Sequence, residues 1–202
     1  MPSHMNPPPP PLYPGALEPG RIKVFGIIHT LFGVLGVINV VGALGWLVFH
    51  EQIMGFTNAG GPPELMAAQE KFHGDLAPHS WISLVISFIV SLLILRAGIA
   101  LLKRRRSAVR VSNTYAVASL LAKVVGALLF FVMVMPVANG ALDTVLGEGI
   151  PEPDVEAILA GARIAMVVGG VVFPLIGAIY PLCSILMLNN PPVKEFLGEN
   201  GT

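Results

Sequence analysis

Four stretches of this chain, Val24 to Phe49, Trp81 to Leu102, Val111 to Met135 and Ala162 to Leu188, are almost unbroken apolar runs. Each reaches or exceeds the roughly 20 residues that carry an α-helix across about 30 Å of hydrocarbon. None alternates apolar and polar residues with the period of two that a membrane β-barrel strand requires. The expected fold is therefore all-α and polytopic: four transmembrane helices in an antiparallel bundle. Composition agrees, because hydrophobic residues make up 54% and charged residues 12%, against about 25% charged in an ordinary soluble domain. Mean hydropathy is +0.75.

Charge placement sets an orientation. Arg21 and Lys23 precede the first run, Arg96 and the cluster Lys103, Arg104, Arg105, Arg106 close the second, Arg110 opens the third and Lys194 follows the fourth. All of these flanks lie on one side of the membrane. The other two connections, 49–80 and 136–161, are acidic, and Lys71 is their one loop lysine. The positive-inside rule then puts both termini in the cytoplasm of a cell with an inner membrane, and both long loops outside. Arg96 falls off the polar stripe of its helix and about two turns from Lys103, so a long stem can snorkel to headgroups. Arg96, Lys103, Arg104, Arg105, Arg106 and Arg110 are thus expected as anchors for anionic lipid. A removable signal peptide does not fit the first run, which starts late and is too long for an h-region. Cys183 is the single cysteine, so no disulfide framework exists.

The expected division is a disordered Pro-rich cytosolic tail over 1–21, a four-helix transmembrane domain over 22–190 and a short cytosolic C-terminal tail over 191–202. In the first tail, Pro10, Pro11, Leu12 and Tyr13 match the Pro-Pro-x-Tyr pattern read by WW domains, in which a stiff polyproline helix presents a tyrosine. Proline-rich composition alone explains the same residues as a tether. The first outer loop carries Pro63 at a helix start, with Leu65, Ala68 and Phe72 at helical spacing, which predicts a short amphipathic helix. Asp154 is expected to cap a helix entering the fourth span.

The polar residues inside the spans carry the functional question. Gly26, His29, Gly33 and Gly36 share one arc of the first helix, an arrangement that lets another backbone approach closely. His29 there is either hydrogen-bonded glue or a proton-relay or ligand residue; Asn39 reads as glue. Ser80, Ser83, Ser87 and Ser91 form one stripe on the second helix. On the third, Ser112, Ala116, Ser119, Lys123 and Gly126 share a narrow arc. Lys123 lies about 18 Å into its helix, too deep to snorkel, and no span offers a carboxylate to pair with it. Its ammonium must find Ser87, Ser91, Ser119, water, an anion, or carbonyls freed by Pro174 and Pro181 in the fourth span. The expected intramembrane polar site is Lys123, Ser119, Ser87, Ser91, His29 and Pro174.

Glu70, His73, Asp75 and His79 cluster in the first outer loop, but their spacing is that of no recognised metal site. Neither a metal nor a cofactor is expected, and no nucleic-acid partner. The Pro-rich start, the segment Arg21-Ile22-Lys23-Val24-Phe25-Gly26 and the closing pattern of Tyr180-Pro181, Leu188, Asn189, Pro192-Val193 and Phe196 resemble small four-span bacterial inner-membrane proteins of uncharacterised families. That resemblance implies a fold style and brings no functional residues with it. Two functions remain open. One is a non-enzymatic accessory protein, with a protein partner on the Pro-rich tail or outer loops and room for homo-oligomerisation. The other is a small permeation or anion-binding protein, for a free or lipid-borne anion, organised around Lys123.

Overall fold

The computed structural model describes residues 19–57, 63–147 and 153–200. Pro10 to Tyr13 lie outside them. Among the described residues the chain is all-helical: α1 Gly20–Thr57, α2 Pro63–Leu102, α3 Ala108–Leu129, a π-helical segment Phe130–Val134, α4 Met135–Gly147, α5 Pro153–Leu188 and α6 Pro191–Asn200. Four helical stretches are long and apolar enough to cross a membrane: Gly20–Gly55, Gln69–Leu102, Ala108–Leu142 and Ala160–Leu188. α1 packs along α2, α2 along α3, and α3 along α5.

Burial is inverted relative to a water-soluble protein. Phe173, Leu186 and Val132 are 76%, 74% and 71% exposed, while His29, Ser91, Ser112, Ser119 and Ser184 are buried. Large apolar side chains on the outside are tolerable only where the surroundings are themselves apolar. The chain is built as a multi-pass membrane protein.

Helices run further than the hydropathy limits suggest. α1 continues past Phe49 to Thr57, and the short amphipathic helix expected from Pro63 is the beginning of α2, which passes through Pro78. A proline removes one N–H and crowds the carbonyl four residues back, but it leaves the turns on either side free to stay helical. Pro136 shows how the crowding is relieved. The preceding turn widens into the π segment, in which the Met135 N–H donates to the Phe130 carbonyl, making room for the ring one residue before it enters. α3, this segment and α4 then form one continuous rod. α5 opens at Pro153, where its missing N–H costs nothing. Asp154 therefore lies inside the first turn rather than at the cap.

The basic connection is a tight turn. Arg104 has φ 51°, and the Arg104 and Arg105 N–H groups donate to the carbonyls of Leu101 and Ala100, both at 3.0 Å. That pair of bonds is a Schellman closure, whose left-handed position is normally glycine. An arginine there costs on the order of 1 kcal/mol.

The segment expected as a C-terminal tail folds as α6. Val193, Phe196 and Leu197, at i, i+3 and i+4, are buried with Ile22, Leu101, Ala108 and Leu188 in one cluster at the basic end of the molecule. A reciprocal amide pair holds the same end together. Asn113 Nδ2 donates to Asn189 Oδ1 at 3.2 Å, and Asn189 Nδ2 donates to Asn113 Oδ1 at 2.9 Å and to the Ile185 carbonyl at 2.8 Å.

Candidate functional site: a chamber around Lys123

The serine stripe of α2 and the small-residue arc of α3 meet across a cavity of about 350 Å³. Lys123, Ser119, Ser87 and Ser91 border it, with Asn39 and Gly36 from α1. Helical periodicity places each pair of residues on the right face, and the α2–α3 contact brings the two faces together. Lys123 Nζ donates to Ser119 Oγ at 3.2 Å, one turn back on its own helix. That bond occupies one of the three ammonium hydrogens. The chamber is narrow at α1 because Gly36 sits directly on Ser91: a Cβ at position 36 would collide with the serine hydroxyl.

The lysine stem is seated by α5. A Cβ built on Gly177 would stand 2.8 Å from Lys123 Cε, so a side chain there would have to displace the stem. Gly177 is also the residue whose carbonyl Pro181, four positions on, cannot bond. The stem thus crosses α5 at the turn that the proline opens, but the ammonium bonds to Ser119 and makes no hydrogen bond to a freed carbonyl. The same arrangement recurs seven residues along each helix, where Phe130 lies over Gly170 with 2.5 Å between its ring and an ideal Cβ. Two knobs of the third rod fill two glycine notches in α5.

Two residues grouped with Lys123 by sequence stand elsewhere. His29 is fully buried, with Nδ1 2.7 Å from the Tyr180 hydroxyl and Nε2 3.3 Å from Ser184 Oγ. A neutral imidazole has one donor and one acceptor nitrogen, so both hydroxyls can be satisfied at once. The ring packs edge-on against Tyr115, 5.2 Å away, and Phe25, 6.0 Å away. His29 therefore clasps α1 to α5 through its own aromatic shell and does not border the chamber. Pro174 borders a second, apolar cavity of about 540 Å³ with Phe173, Gly169, Gly170 and Phe130. The two cavities touch at Gly126, which lines both.

The residues of the 49–80 connection separate in the same way. Glu70 and His73 border a third cavity with His50, while His79 points at Ser83, with Nε2 3.4 Å from Oγ. Among the described residues no three His, Cys, Asp or Glu side chains converge to hold a metal ion. Sequence reasoning missed Gly177, Tyr180 and Ser184. The close Gly169-Gly170 and Gly177 near two prolines was the available signal for the notches, but a partner more than 150 residues away leaves none.

The class that the fold defines is a multi-pass helical membrane protein in which a lysine stands beside a serine-bordered cavity. No protein family, curated protein or solved structure matches the chain.

Proposed function

We propose that this is a four-span antiparallel bundle of the cell's inner membrane, both termini cytoplasmic, that holds an anionic group beside Lys123 and performs no catalysis. The observation that carries the reading is the convergence of Lys123, Ser119, Ser87 and Ser91 on one cavity. Two ammonium hydrogens beyond the Ser119 bond, together with serine hydroxyls, make a donor-rich lining, and among the described residues no carboxylate borders it. Lys123 is half-buried, an ammonium at membrane depth without a counter-charge is costly, and an anion of carboxylate or phosphate type lowers that cost. The positive-inside distribution of charge supports the orientation. Serving as an accessory protein is compatible with such a site, since a held anion can be the basis of partner recognition.

The test uses full-length protein in lipid nanodiscs, with the lysine side-chain nitrogens followed by ¹⁵N NMR during titration with chloride, acetate, phosphate and oleate. One resonance, absent from Lys123→Met, is expected to move with at least one of these anions. If the Lys123 resonance is identified and responds to none of the four, the reading fails.

A further inference from the structure

The fold divides the arginines that the sequence groups as general lipid anchors. Arg104 turns to Phe196, its guanidinium carbon 6.0 Å from the ring centroid. Arg110 borders a groove shared with Asn113 and Lys194. Arg96 and Arg105 instead border a single cavity of about 230 Å³, together with Ser107, Leu92, Leu95 and Ile99. Arg96 comes from the flank of α2; Arg105 is carried back over that flank by the left-handed turn at Arg104. The strained arginine at that turn thus has a positional consequence: the residue after it is aimed at the helix that has just ended.

The lining of this cavity is of two kinds. Its polar members are Arg96, Arg105 and Ser107, whose side chain makes no capping bond to α3, and among the described residues no carboxylate borders it. The first turn of α3 carries no acidic residue, so the partial positive charge of the helix start adds to the field. The rest of the lining is apolar, and in it Leu92 and Ile99 are 45% and 39% exposed. A ligand that satisfies both kinds of lining needs a compact anion joined to a hydrocarbon chain. Guanidinium forks match phosphate oxygens with two parallel hydrogen bonds each, which a point-charge lysine cannot do.

We propose that Arg96, Arg105 and Ser107 form a clamp for the phosphodiester of one anionic phospholipid, whose acyl chain lies along Leu92, Leu95 and Ile99. The site is separate from the Lys123 chamber and does not depend on it. It differs from a general basic surface in holding one lipid at one place, so that neutralising other arginines and lysines of the cluster leaves it intact.

The experiment is native mass spectrometry of the full chain titrated with phosphatidylglycerol, phosphatidylcholine and inorganic phosphate, with helicity measured for every variant. The first phosphatidylglycerol is expected to bind about 10-fold or more tightly than phosphatidylcholine, as charge-assisted bonds from two arginines imply. Arg96→Gln with Arg105→Gln removes that preference. Lys103→Gln with Arg110→Gln removes the same charge and keeps it. If the glutamine pair does not insert, Arg96→Lys with Arg105→Lys keeps the charge and carries the test, with a several-fold loss of preference expected. Equal losses from both glutamine pairs, an unchanged preference in the lysine pair, or displacement of the lipid by equimolar inorganic phosphate would each overturn the clamp.

Discussion

The contact between α1 and α2 and the contact between α3 and α5 both depend on glycine, in opposite ways. On the first, glycine faces backbone. A Cβ on Gly33 would stand 2.6 Å from Leu95 Cα, and one on Gly98 would stand 2.5 Å from the Thr30 nitrogen. The two backbones touch at these positions, and the space between α1 and α2 opens only away from them, at the Gly36 edge of the chamber and at the cavity beside His50 and His73. On the second, glycine faces side chains: Gly177 receives the Lys123 stem and Gly170 the Phe130 ring. The helices are held apart by what fills the notches, and the Lys123 chamber and the apolar cavity at Pro174 border this third rod. Close backbone packing leaves no side chain between the helices, whereas notch packing seats one, and the lysine seated on α5 in this way borders a chamber lined by α1, α2 and α3.

The sharpest way to break this contrast is Gly33→Ala. Its methyl group would meet backbone that cannot rotate away, so a loss of about 1 to 3 kcal/mol is expected from overpacking, read as a lowered unfolding midpoint in detergent. His29→Leu is expected to cost a comparable amount, about 1 to 3 kcal/mol, because the Tyr180 and Ser184 hydroxyls lose their partner inside the protein. The triple variant His29→Leu, Tyr180→Phe, Ser184→Ala should recover part of that loss, since both sides of each bond are then removed. If the triple variant is less stable than the single one, the clasp is not what joins α1 to α5.

Gly177→Ala is expected to cost less than about 1 kcal/mol, the lower end for overpacking, since it meets the far end of a flexible lysine. Its effect should fall on the chamber instead, as a shifted Lys123 resonance in the NMR titration. Equal destabilisation by Gly33→Ala and Gly177→Ala would erase the difference between the two contacts. The smallest effect belongs to Gly42→Ala. No atom lies within 4 Å of a Cβ there, and alanine favours helix by up to about 1 kcal/mol, so the midpoint should hold or rise slightly.

Much of this architecture was legible in the chain. Long apolar runs give membrane-crossing helices directly, and the 3.6-residue period put Ser87 and Ser91 on one face and Ser119 and Lys123 on another before the two were seen to meet. The arc of Gly26, Gly33 and Gly36 was legible for the same reason, and those three glycines do face α2. What escaped notice has two physical origins. A helix does start at Pro63, but it is not short, because one lost bond at Pro78 lets it run on into the second span, and the third run continues past Met135 because a widened turn admits Pro136. The other origin is tertiary: Tyr180 beside His29, Asn189 beside Asn113 and Gly177 beside Lys123 are contacts between helices far apart in sequence, and periodicity assigns a face without naming its partner. α6 lay between these cases. Its apolar triplet at 193, 196 and 197 had helical spacing, but prolines and charges around it resembled a tail.

The account depends most on the chamber. A cryo-electron microscopy map of the full-length protein in native-lipid nanodiscs, compared with one of Lys123→Met, tests it most directly. The expected result is a discrete density within hydrogen-bonding reach of Lys123 Nζ, bordered by Ser87 and Ser91, that disappears in the variant while the α1–α2 contact is unchanged. A chamber closed by helix packing, or filled by a lipid chain in both maps, would contradict it.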